Sequence, residues 1–269
     1  MTNHVREDKF FNWVYRRSNL QILFLLVVFL VTVLDLLPRL LQSIPMFAPT
    51  QDSTRLGLSL FGSIITLSGL LIGFLLNQAQ TNFREVQTLV SQEAGRINNL
   101  DRLLTRFGDP AIAPIRAELF EYMNSIVNDE WALMQKGLGS SKTHMLWRGI
   151  SRKLMSIEPH TNRQTAMYTD IIKKSEEVAE SREARIERAN IRLPGLFWVV
   201  ILICMFALLG INTLFLPSDS FFLGLKILPV TLGALISLLV ITDQPFKGQN
   251  SVKPDAFYKI IESIKTRKE

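Results

Sequence analysis

The stretch LGLSLFGSIITLSGLLIGFLLNQAQTNFR, residues 56–84, decides how this chain is built. Residues 56–76 contain no charged side chain, and a hydrocarbon core of about 30 Å needs about 20 apolar residues of helix to cross it. No stop signal ends the segment. Apolar residues continue at Phe83, Val86, Val90, Ile97, Leu100, Leu104 and Phe107, with polar residues between them at helical spacing. The pattern predicts a membrane helix that runs on as an amphipathic one until Gly108, Asp109 and Pro110 break it.

Working outward, three more stretches carry almost no charge over a comparable length: residues 20–37, 194–216 and 221–241. The 269 residues are 48% hydrophobic, which alone decides little; the segregation decides more. The first apolar stretch follows a polar start containing Trp13 and Tyr15, with no small-residue cleavage pattern after it, and is read as a retained helix. The expected fold is an all-α membrane protein with four transmembrane helices and a helical cytoplasmic domain inserted between the second and third. The expected divisions are an N-terminus over 1–19, a first hairpin over 20–77, the helical domain over 78–192, a second hairpin over 193–242 and a tail over 243–269. Within the domain, helices are expected over about 113–135, 144–157 and 162–192, and no strand-like alternation is found.

Basic residues set the orientation. Arg6, Lys9, Arg16 and Arg17 lie at the start, and Lys247, Lys253, Lys259, Lys265, Arg267 and Lys268 in the tail. The first hairpin loop offers Arg39 and Arg55, and Asp219 is the charge of the second. The positive-inside tendency therefore places both termini in the cytoplasm. The net charge of +6 is read as topology and attraction to lipid rather than a nucleic-acid surface. Trp198 and Lys226 are read as interfacial anchors. Asp35 is expected to pair with Arg39 four residues on.

Chemistry is sparse. His4, His144 and His160 share no face, and the single cysteine, Cys204, lies inside an apolar stretch, so no metal site is expected. The run from Gly137 to Thr143 lacks phosphate-loop spacing and has no strand before it. The alternating charges of 173–188 are read as a solvated face laced with weak pairs. Neither an enzyme nor a cofactor is expected.

The informative pattern returns to the opening stretch. Arg55, Ser59, Gly62, Thr66, Gly69, Gly73, Asn77, Gln80 and Arg84 follow one another at steps of three or four, so they share one helix face. Two readings stay open. One is a close-packing seam between helices; the other is a pore face with an arginine at each mouth, Arg55 and Arg84, favouring anions.

Gly73-Phe74, the polar run to Phe83-Arg84, then Glu93-Ala94 and Ile97 resemble the second helix of bestrophin-type anion channels and of the bacterial bestrophin-like domain family. Asp243, Pro245, Phe246 and Gly248 resemble the turn after the last helix of the same proteins, and Leu193-Pro194 with Trp198 fits the third span. The resemblance covers most of the chain. It implies a homo-oligomer, a pentamer around one pore, conducting inorganic anions of the chloride type across a bacterial inner membrane. Carried over on Gly73-Phe74, it makes Thr66, Leu70 and Phe74 the pore constriction. Family necks are apolar, and Thr66 is a departure. The acidic cluster that clasps calcium in animal relatives is replaced here by Lys247, Gly248, Gln249, Asn250 and Ser251, so no calcium site of that kind is expected. The competing reading is a non-conducting membrane protein whose cytoplasmic helices bind a partner or signal stress. A transporter is disfavoured by the lack of buried paired charges and of obviously broken helices at mid-membrane.

Overall fold

The structure, a computed structural model, describes residues 14–216 and 219–266, and for 219–226 the backbone alone. The expectations for His4, Arg6, Lys9, Trp13, Arg267 and Lys268, and for the side chains of Asp219 and Lys226, fall outside the described residues. Every regular element described is helical. In chain order, α1 spans Asn19–Gln42, α2 Gln51–Phe107, α3 Ile112–Ser125, α4 Ser141–Met155, α5 Asn162–Ala189, α6 Gly195–Asn212, α7 Asp219–Asp243 and α8 Asp255–Thr266. The helix expected over 113–135 is α3 with a wider π-type turn, Ile126–Glu130, and one further α-turn, Trp131–Met134.

Three helices, α1, α2 and α6, are long and apolar enough to cross a membrane; the described apolar part of α7 is shorter, Ile227–Asp243. The chain divides into two compact units. One holds the described residues up to Phe83 with Arg192–Ser251, and the other Arg84–Ile191 with the residues from Val252 on.

The first unit packs α1, the first part of α2, α6 and α7 around Leu30, Leu34, Ile72, Leu75, Leu208 and Leu239, each under 5% exposed. The α1–α7 crossing is close: a Cβ on Gly233 would lie 2.9 Å from the Val27 Cα, so glycine is what lets these helices meet.

A proline inside α1 leaves a debt that another helix settles. Pro38 has no N–H to give the Leu34 carbonyl one turn earlier, and α1 widens into a π-type turn at Thr32–Leu36. The Leu34 oxygen instead accepts from the Asn212 side-chain amide at 2.8 Å. Gln42 returns the favour at the end of α6, donating to the carbonyls of Thr213 at 3.1 Å and Phe215 at 3.0 Å. An unpaired carbonyl in an apolar interior is costly. Asn212→Leu should lower stability by about 1–2 kcal/mol, read as an earlier thermal transition in detergent. The expected ion pair on α1 is present, Arg39 Nη2 to Asp35 Oδ1 at 2.7 Å.

The second unit corrects the reading of 173–188 as a solvated face. Arg182 and Arg185 point inward from α5 and are buried. Arg185 reaches Glu93 of α2 at 2.5 Å and Glu130 at 2.8 Å, and Arg182 also pairs with Glu130. The Arg185 guanidinium lies 5.5 Å from the Trp131 ring centroid and 5.8 Å from that of Phe257 in α8. Burial alone would disfavour the Arg185 charge, yet Glu93 and Glu130 outweigh it and hold its pKa above the ordinary value. Burial likewise works against the Glu130 carboxylate, but Arg182 and Arg185 prevail and lower its pKa. Arg96, one turn from Glu93, instead donates to the Glu177 carbonyl at 3.0 Å.

Candidate functional site

The 57 residues of α2 form one continuous helix, so the spacing argument applies along its whole length. The buried face is set by Ser68, Ile72, Leu75, Ala79, Val86 and Val90, again at steps of three, four or seven. Arg55, Ser59, Gly62, Thr66, Gly73, Asn77 and Arg84 are all exposed, and Gly69 and Gln80 partly so. The two arginines share the face but not a locality, standing 29 positions apart in the sequence.

Glycines separate the two readings of this face within one subunit. Where helices of this chain do meet closely, a Cβ would collide, as at Gly233. At Gly62, Gly69 and Gly73, a Cβ would meet nothing within 4 Å. The small residues of the stripe therefore serve no helix contact inside the described chain, and the seam reading is confined to contacts with another molecule.

Thr66, Leu70 and Phe74 stand at four-residue spacing beside the stripe, with Leu70 68% and Phe74 60% exposed. The departure at Thr66 is smaller than its side-chain type suggests. Its hydroxyl donates to the Gly62 carbonyl at 2.8 Å, so its proton is already committed within the helix. Beyond Arg84, the face stays polar: Arg84, Gln87, Thr88, Ser91 and Gln92 line an open shallow groove.

The turn after α7 lies elsewhere. Asp243 is buried and its carboxylate accepts the Leu193 N–H at 2.8 Å. Pro245 and Phe246 are buried beside it, and Gly248 adopts φ +76°, where a Cβ would also lie 3.2 Å from the Tyr15 ring. The Tyr15 hydroxyl donates to the Val240 carbonyl at 2.7 Å, and the Asn19 N–H to Gln249 Oε1 at 3.2 Å. This turn thus ties the chain before α1, the entry to α6 and the end of α7 together. Among the described residues, no three His, Cys, Asp or Glu side chains gather as a metal site would require.

Sequence reasoning missed the Glu93–Arg185–Glu130–Arg182 cluster. The residues it joins are up to 92 positions apart, and only the inward turn of two arginines on a highly charged helix could have hinted at it.

A Bestrophin-like domain family model matches residues 22–257. No curated protein matches the sequence. Among solved structures, a variant of a bacterial Bestrophin homolog from Klebsiella pneumoniae aligns with TM-score 0.65 at 14% identity, over 90% of this chain and 98% of that one. A second variant of that homolog aligns with TM-score 0.64 at 13% identity, over 92% and 96%. A structure described as a membrane protein aligns with TM-score 0.66 at 13% identity, over 90% and 96%.

Proposed function

Since the chain belongs to the Bestrophin-like family, we propose that it forms a homo-oligomeric, pentameric anion channel of the chloride type, its pore lined by α2. The observation that carries this reading is the stripe on α2, small and polar through the apolar stretch, whose glycines Gly62, Gly69 and Gly73 meet no packing partner among the described residues. A lipid-facing surface would be apolar instead, as the exposed Leu202 and Phe206 of α6 are. Thr66, Leu70 and Phe74 form the constriction, while Gly62, Gly69, Gly73, Asn77 and Gln80 line the path. Arg84 and Arg55 concentrate anions at its mouths by long-range attraction.

The same reading takes all four apolar stretches as spans and both termini as cytoplasmic, in a bacterial inner membrane. The helical domain then occupies 78–192, and the turn of Asp243, Pro245, Phe246 and Gly248 is a helix stop at the membrane surface. No metal or cofactor has a part in it.

Purified protein in liposomes should pass chloride, and Phe74→Ala should raise the flux by widening the constriction, measured by a chloride-sensitive dye. Liposomes that stay tight across a range of anions and voltages would sink the proposal and favour a non-conducting interaction protein.

A further inference from the structure

The first unit holds a cavity of about 860 Å³ that plays no part in the pore reading. Ligand cavities run to about 300–1,000 Å³. Its walls are apolar side chains of the three helices α1, α6 and α7, among them Leu26, Phe29, Met205 and Ile236. Phe29, Leu202 and Phe206 at its open side are more than half exposed. Polar groups enter at one end alone. Arg17 lies just before α1, Arg192 just before α6, and Asp243 and Gln244 at the close of α7. Trp198, one turn into α6, lines the same end, where an indole suits a membrane interface.

The charges there are not equivalent. The Asp243 carboxylate is turned to the Leu193 N–H, whereas Arg192 is half-buried and makes no ion pair among the described residues. A slot with apolar walls, open to the side and cationic at one interfacial end has the chemistry of an amphiphile with a negative head. A free anion would leave the walls empty, and a partner's apolar helix would leave two arginines, Arg17 and Arg192, against the one carboxylate of Asp243 at that end.

We propose that this cavity is a binding site for an anionic phospholipid, its phosphate held at Arg192 beside Arg17 and one acyl chain laid between α1 and α6. The site is independent of conduction, and its test reads binding alone.

Delipidated protein in detergent is titrated with phosphatidylglycerol or phosphatidylcholine, and bound lipid is counted by native mass spectrometry. Phosphatidylglycerol should bind about tenfold more tightly, because phosphatidylcholine offers the same phosphate but adds a choline cation that Arg17 and Arg192 repel. Arg192→Gln should erase that preference, and Leu202→Trp, which fills the open side, should weaken both lipids. Arg148→Gln, an exposed arginine of α4, removes the same net charge and should leave the preference intact. Equal affinity for the two lipids in the unaltered protein overturns the proposal. So does a preference that survives Arg192→Gln, or one lost equally in Arg148→Gln. Competition by soluble glycerol phosphate at the concentration at which the lipid binds would also overturn it, by assigning the site to a headgroup without its chain.

Discussion

Arg185→Met is expected to destabilise the helical unit by about 3–5 kcal/mol, the cost of breaking a buried ion pair from one side. Arg185 is fully buried and bridges Glu93 and Glu130, both fully buried themselves. Methionine replaces much of the volume, so the loss is electrostatic: of the two carboxylates, Glu130 alone keeps a buried cation, Arg182. Glu93 is left without its partner. The pH dependence gives a signature that mere loosening of packing would not. In the unaltered protein the Glu130 pKa is lowered by folding. Its contribution to stability is therefore present above the unfolded value of about 4.3 and is lost as pH falls through the folded one. In Arg185→Met, the burial of the Glu130 carboxylate is opposed by Arg182 alone, so less of that contribution remains. The variant's deficit should therefore be largest near neutral pH and shrink on acidification, where the unaltered protein loses the contribution too. Thermal unfolding followed by circular dichroism between about pH 4 and 8 checks both; a deficit flat across that range would mean that the charges of the cluster contribute nothing.

The second large effect is expected at Gly73. A Cβ there meets nothing within 4 Å among the described residues, so Gly73→Leu should leave the subunit's fold and melting temperature unchanged. If five copies of this face surround a pore, five leucines enter it at one level beside Phe74, and chloride flux should fall by at least about tenfold, as expected when an apolar constriction narrows. The oligomer should survive. If the glycines are instead a seam against a neighbouring copy, the added side chain wedges the copies apart and the oligomer dissociates. Size-exclusion chromatography coupled to light scattering, run beside the flux assay, separates the outcomes. A variant that stays assembled and conducts normally would remove Gly73 from the pore.

Helix positions were legible in the sequence because they rest on local signals. Gly108 and Gly137 mark real stops, with φ of +77° and +71°, and the expected helices over 144–157 and 162–192 are found as Ser141–Met155 and Asn162–Ala189. The polar face of α2 was legible for the same reason, since spacing along one helix needs no knowledge of the rest of the fold. What spacing could not tell was whether that face is covered; this depends on where the other helices pack, and the open space at Gly62, Gly69 and Gly73 is a property of the folded chain. The buried cluster was misread because Arg182 and Arg185 stand among charges that do face water. An alternating-sign pattern does not distinguish a solvated arginine from one drawn inward by carboxylates on distant segments. Asn212 was passed over as one polar residue in an apolar stretch, because its reason lies at Pro38, 174 positions earlier.

That last pairing has a consequence for descent. The amide at 212 answers the imino acid at 38 through a single carbonyl oxygen, so 212 is not a free choice while Pro38 stands. A lineage that replaces Pro38 by a residue with its own N–H restores the helix bond and releases 212 to become apolar, whereas the reverse order passes through a subunit with an unmet acceptor. Among related chains the two sites should therefore change together, with the proline lost first; unrelated variation at the two sites would show that water or lipid meets the oxygen just as well.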